Sequence, residues 1–233
     1  MSTDWMPSSG PQVCRIAPPG EPAAIDETAV RFSREPRAGD RIVLLLHGLG
    51  SHEDDLLALT DHLPEEFVYA SLRGVFEYGG GWAWLSFPID VGDHELLDES
   101  AAAVEQWIAA TEQRTGARVV GSVGFSQGGI LTLQLLRRDA QTLDWAVQLS
   151  GVPFPAPMDG DDALAGASVP VLWGYGGMDP FFPPEVIGQV RDWMGAHTDL
   201  TEVFSEQLGH GVDETVLQAV QRFVGERAGT PER

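Results

Sequence analysis

At 233 residues, with 43% hydrophobic and 21% charged side chains, the chain matches one medium domain able to bury a sizeable core. Its formal net charge is −21, and all 14 basic residues are arginine, so like-charge repulsion disfavours non-specific binding to DNA, RNA or anionic membranes. A single cysteine, Cys14, excludes an intrachain disulfide and a cysteine-rich metal site.

The first ten residues, "MSTDWMPSSG", hold no basic region followed by an apolar stretch, and no apolar run approaches bilayer length. A cytoplasmic protein without stable membrane insertion is therefore expected. No linker or repeat divides the chain, so residues 1–233 are expected to form one domain. Residues 1–40 are rich in Pro, Gly and charge and carry two short strand-like pieces, "QVCRIA" and "TAVRFS".

From residue 41 the pattern becomes regular. "RIVLLLH" is a continuous apolar run of strand length, typical of a strand buried on both faces. "HEDDLLALTDHL" has leucines at helical spacing and acids in its first turn, which predicts a helix. "FVYASL" is strand-like. "HELLDESAAAVEQWIAATEQRTG" predicts a helix capped by Gly116. "RVVGSVGF" predicts a strand and "QGGILTLQLLRRD" a helix. "LDWAVQLSG", "VPVLWGYGG" and "LTEVFSEQ" read as strands, and "PPEVIGQVRDWMGAH" and "DETVLQAVQRFVGER" as helices. Pro183 and Pro184 suit the start of the first of these two helices. Such alternation implies an α/β fold, with a mainly parallel central sheet and helices on both faces. Ligands of such sheets sit beyond the carboxyl ends of the strands.

At one strand-to-helix junction stands Gly124-Phe125-Ser126-Gln127-Gly128, a G-x-S-x-G pattern. In a chain with 27 glycines a short motif can arise by chance, so its context must decide. Here the context is a strand running into a helix, which a nucleophile elbow requires. A serine hydroxyl needs a histidine to take its proton and an acid to orient that histidine. Of six histidines, His52 and His62 fall in the first predicted helix, and His94 and His197 at helix edges in polar surroundings. His47 ends a strand and is expected to brace the loop that follows. His210, in "QLGHGVDE", lies between glycines after the last strand, on the same sheet edge as Ser126; its alternative role is to cap the final helix.

Asp179, in "GYGGMDPFFPP", also follows a strand and is the expected acid. Asp144 starts a strand at the opposite edge, Asp159, Asp161 and Asp162 form a polar loop expected to be solvated, and Asp213 is placed to cap a helix. The tetrahedral intermediate needs two donors. The backbone N–H of Gln127 directly follows the nucleophile, and that of Leu49, in "HGLGS", lies in a loop its glycines allow to fold back. No cofactor or metal is expected: no H-E-x-x-H spacing occurs, and "HEDD" at 52–55 reads as an acidic first turn.

With these residues in hand, the chain resembles the carboxylesterase and acyl-protein thioesterase branch of the α/β-hydrolases, also called phospholipase/carboxylesterase. The resemblance rests on "LLLHGLGS", "GFSQGG", "LSG" at 149–151, "GGMDPFFP" and "LGHG", and runs from about Arg41 to Phe223. The order Ser126, Asp179, His210 is that of α/β-hydrolases. "SLRGVFEYGGGWAWLSFP", 71–88, is similar to the family's loop over the acyl pocket. The resemblance thus implies a pocket wall from Trp82, Trp84 and Phe87, with Phe76 and Tyr78 beside them, although the same aromatics could equally be core or a dimer face. Leu85-Ser86-Phe87 departs from the family's aromatic-plus-aspartate ending, which opens the question of substrate preference. The expected activity is a serine hydrolase acting on small-molecule carboxylic esters or thioesters with small to medium acyl chains. A lysophospholipase-type lipid hydrolase and a non-catalytic small-ligand-binding protein are the alternatives. No nucleic-acid partner is expected, and a homodimer is left open.

Overall fold

The computed structural model describes residues 12–229 apart from Pro19. The apolar run after residue 40 folds as a strand whose side chains from Ile42 to Leu46 are wholly withdrawn from water. This strand is β3 (Arg41–Leu46); around it in the chain lie β1 (Cys14–Arg15), β2 (Arg31–Phe32), β4 (Phe67–Leu72), and the hairpin partners β5 (Phe76–Tyr78) and β6 (Gly81–Ala83). Then follow α1 (Glu95–Thr115), β7 (Arg118–Phe125), α2 (Gln127–Arg138), β8 (Trp145–Leu149), α3 (Asp161–Ala167), β9 (Pro170–Gly176), α4 (Pro184–His197), β10 (Asp199–Ser205) and α5 (Glu214–Ala228).

The main sheet has the order β10-β9-β8-β7-β3-β4-β2, parallel throughout except for the antiparallel β2–β4 pair. β1, β5 and β6 make a separate small antiparallel sheet. The strand-like pieces expected before residue 41 are thus present but very short; residues 1–11 lie outside the described residues. One face of the main sheet packs on α1, α2, α3 and α4, and the other on α5. Alternate residues of β3 divide accordingly: Ile42, Leu44 and Leu46 join the first layer, Val43 and Leu45 the second. A strand with both faces covered must be apolar at every position, which explains the unbroken run. Truncating one such leucine to alanine costs about 2–5 kcal/mol.

The helix ends carry the expected stops. Gly116 closes α1 in the left-handed region, Pro184 opens α4, and the Asp213 carboxylate accepts the Val216 N–H at 3.0 Å to cap α5. Two expectations need correction. "HEDDLLALTDHL" is not an α-helix: only Leu57–His62 is helical, as a 3-10 stretch, after a series of turns. Pro64 forces Leu63 into the extended region and ends the segment, while Glu53 is drawn inward onto Arg73 and Arg31. Asp161 is likewise not simply solvated. Its carboxylate pairs with Arg137, which is only 2% exposed and also donates to the carbonyls of Phe154 and Ala156.

Candidate active site

The chain enters the elbow along β7 and leaves it along α2. Between them Ser126 sits at φ 53° and ψ −115°, a region L-residues avoid. Its N–H donates to Leu149 O at 2.8 Å and its carbonyl accepts from Ile130 N–H at 3.1 Å, so both flanking elements hold the turn. The glycines of the motif answer a steric demand. A Cβ on Gly124 would lie 2.2 Å from Gly128 O, and one on Gly128 would lie 1.9 Å from Leu46 O. Backbone at such separations admits no side chain, so the strained turn exists only with both glycines.

Two further strand-end loops converge on Ser126. The loop after β9 brings Asp179, and the loop after β10 brings His210. The His210 ring lies with Nε2 2.9 Å from Ser126 Oγ and Nδ1 2.7 Å from Asp179 Oδ2. An ionised carboxylate only accepts, so Nδ1 carries the proton and the Nε2 lone pair faces the serine hydroxyl. The Asp179 carboxylate is closed to solvent, and its other oxygen accepts the Phe181 N–H at 3.0 Å. Three phenylalanine rings surround the imidazole, with centroids at 4.8 Å for Phe181, 5.1 Å for Phe125 and 6.0 Å for Phe182. The His210 loop is tied on both sides: Leu208 O accepts the Met178 N–H at 2.9 Å, and Gly211 O accepts the Ser150 hydroxyl at 3.0 Å.

The rejected candidates sit where other roles occupy them. Asp213 caps α5 and takes the Ser205 hydroxyl, which holds its carboxyl below the usual range. Asp144 pairs with Arg118 at the far edge of the sheet. His94 pairs with Asp98, and His197 stacks on Trp193. His47 is buried. Its Nδ1 donates to Gly48 O at 2.7 Å and its Nε2 accepts the Gly74 N–H at 2.9 Å, while burial pushes its pKa down to about 4. It is therefore a neutral brace. Among the described residues no group of three or more His, Cys, Asp or Glu side chains is placed to hold a metal ion, and no helix is long and apolar enough to cross a membrane.

The "HGLGS" loop folds against the elbow: a Cβ on Gly48 would lie 3.4 Å from Ser126 Cβ. Among the described residues the Leu49 N–H has no hydrogen-bond acceptor. Gln127 is the first residue of α2, where a helix leaves its N–H groups unpaired. Both N–H groups are thus without a hydrogen-bond acceptor among the described residues.

The aromatic segment is only partly a wall. Phe87 is half-buried edge-on to Tyr78, and half-buried Trp82 lies under the Arg73 guanidinium, 4.7 Å from ring centroid to carbon. Trp84 departs from expectation: it is 0% exposed, and its indole N–H donates to His47 O at 2.9 Å. Phe76 is core as well. What sequence reasoning missed was the contacts of Gln127, Ser150 and the three phenylalanines. Gln127 carried no signal beyond its place in the motif, and Ser150 only its place at a strand end.

Comparison with known proteins adds a lineage. A profile of the phospholipase/carboxylesterase family matches residues 28–227. MhqD of Bacillus subtilis (strain 168), a hydrolase by name, is 27% identical over 196 residues, covering 82% of this chain and 96% of that one. NocK of Nocardia uniformis subsp. tsuyamanensis, named as an esterase, is 30% identical over 156 residues, covering 62% of this chain but only 42% of its own length. Among solved structures, the Bacillus cereus carboxylesterase superposes with a TM-score of 0.71 at 21% identity, covering 85% of this chain and 93% of that one.

Proposed function

Because this chain belongs to the phospholipase/carboxylesterase family and has the α/β-hydrolase fold, we propose that it is a serine hydrolase of carboxylic esters or thioesters with small to medium acyl chains. The observation that carries this reading is the line from Asp179 through His210 to Ser126, with contacts of 2.7 Å and 2.9 Å. Ser126 Oγ attacks the acyl carbonyl carbon while His210 Nε2 takes its proton. Asp179 keeps the proton on Nδ1 and stabilises the imidazolium. The carbonyl oxygen becomes an oxyanion between the N–H groups of Leu49 and Gln127. As the tetrahedral intermediate collapses, the bond to the leaving alcohol or thiol breaks and His210 returns the proton to it. Water then attacks the acyl-serine with His210 again as base, and the acid leaves.

The exposed rim favours a second reading, a lysophospholipase-type lipid hydrolase. Phe181, 51% exposed, and Met178, 63% exposed, flank Asp179 on the loop that covers the His210 ring. One experiment separates these readings from a non-catalytic binding protein: labelling with a fluorophosphonate probe, followed by kcat/KM on p-nitrophenyl esters of graded chain length, matched thioesters and a lysophospholipid. Labelling at Ser126 with preference for short soluble acyl groups is expected. An unlabelled Ser126 overturns the hydrolase reading, and preference for micellar lysophospholipid selects the second one.

A further inference from the structure

Gln127 supplies more than a backbone donor. The residue is 4% exposed, and its side chain bridges two backbone groups of the aromatic segment: Oε1 accepts the Trp84 N–H at 3.0 Å, and Nε2 donates to Leu85 O at 3.2 Å. A primary amide carries an acceptor oxygen and a donor NH2 in one plane, so one side chain can serve both a backbone N–H and a backbone carbonyl. From Trp84 the connection continues to the "HGLGS" loop. The indole N–H donates to His47 O at 2.9 Å, and the indole and imidazole rings lie 5.3 Å apart. The neutral His47 ring then donates to Gly48 O, directly before Leu49. A second strap runs alongside: Gly50 N–H donates to Trp82 O at 2.8 Å, and Trp82 N–H to Ser51 O at 2.9 Å. The two backbones approach so closely that a Cβ on Gly81 would lie 2.0 Å from Gly50 O.

We infer that the Gln127 side chain is a positioning residue, holding the Leu49 N–H at the oxyanion site through Trp84 and His47. The inference rests on the serine-hydrolase reading above. One residue then sets both donors, its own N–H by its place at the start of α2 and that of Leu49 through its amide. Without the amide the 84–85 backbone loses two bonds, and the strap from Trp84 to the oxyanion loop loses its anchor. A ground-state carbonyl barely senses this, whereas an oxyanion does, because only the charged species draws heavily on the donors.

The test uses Gln127→Met, which keeps the volume and removes both bonds, and Trp84→Phe, which keeps a ring and removes the bond to His47. Each is assayed for kcat, KM, melting temperature and affinity for an alkylboronic acid. Ser126 Oγ adds to boron and its proton passes to His210, leaving a tetrahedral boronate that mimics the intermediate. Expected is a loss of kcat of about 10- to 100-fold, below the cost of deleting a donor, with KM within about threefold. Boronate affinity should weaken in step, while affinity for an uncharged amide analogue of the substrate should hold within about threefold. If folded variants keep wild-type kcat, or lose it with boronate affinity intact, or change only in KM, the inference is overturned. Should Gln127→Met not fold, Trp84→Phe alone decides. A wild-type enzyme that no fluorophosphonate labels sinks the underlying reading instead, a distinct outcome.

Discussion

Asp179 Oδ2 lies 2.7 Å from His210 Nδ1, and its carboxylate is entirely out of solvent. An asparagine there would keep its one carbonyl oxygen on the Phe181 N–H and turn its NH2 toward Nδ1, which must then accept, so the productive tautomer is disfavoured. Asp179→Asn is therefore expected to lower kcat by roughly 10³ to 10⁴ with little change in melting temperature. Asp213→Asn should affect mainly the α5 cap, by at most about 1 kcal/mol. Steady-state kinetics on both variants checks the assignment; a more crippled Asp213 variant would refute it.

Ser126 combines strain with its proposed chemistry. Ser126→Ala should cost on the order of 10⁴ to 10⁶ in kcat. Ser126→Gly should be equally inactive yet more stable. Relief of a positive-φ conformation yields about 1–3 kcal/mol, against about 0.5–1 kcal/mol for glycine's extra unfolded-state entropy. A net gain of about 1 kcal/mol raises the melting temperature by about 2–4 °C in a domain of this size. Calorimetry of both variants tests it, and a destabilised glycine variant would contradict the strain.

The pKa of His47, about 4 in the fold against an ordinary 6.5, makes stability pH-dependent. Between those values the unfolded chain binds a proton that the folded one excludes, so stability falls as pH drops from about 6.5 to about 4 and is unaffected by this group above that window. At about 1.4 kcal/mol per pKa unit, the loss is about 3 kcal/mol. Urea unfolding of wild type and His47→Gln at both pH values isolates it: the variant should show the shallower dependence. Equal slopes would remove His47 from the account.

Buried Arg137 pairs with the half-buried Asp161. Arg137→Met leaves the carbonyls of Phe154 and Ala156 without the guanidinium and Asp161 with only the Met158 N–H. A loss of about 3–5 kcal/mol is expected, as for other broken buried pairs. A drop below about 1 kcal/mol in urea melts would show that the site relaxes or hydrates.

Much of the framework was legible in the chain because it depends on backbone rules. A strand covered on both faces must read like residues 42–46, and a sharp strand-to-helix turn must read like residues 124–128. The strand ends that carry Asp179 and His210 follow from the same alternation. The contacts around them do not, because side-chain partners distant in sequence leave no periodic trace. Trp84 looks alike in sequence whether it lines a pocket or braces His47. Asp161 looks solvated until the fold delivers Arg137 from 24 residues upstream. The 52–63 segment misled for a local reason, since its helical leucine spacing is genuine but Pro64 and the inward Glu53 leave room for only a short 3-10 stretch.

β10 is an edge strand, paired only with β9 among the described residues. His210 hangs from its end, whereas Ser126 follows β7 at the centre of the sheet. Edge elements open by local fluctuation at lower free energy than the centre. The two halves of the proposed catalytic pair therefore stand on ground of unequal firmness. On gradual heating, hydrogen exchange along Asp199–Ser205 should accelerate first and turnover should fade with it, while β3 and β7 remain protected. With His210 as the proposed base, the operating temperature limit is expected at the rim of the sheet, below the melting of its core.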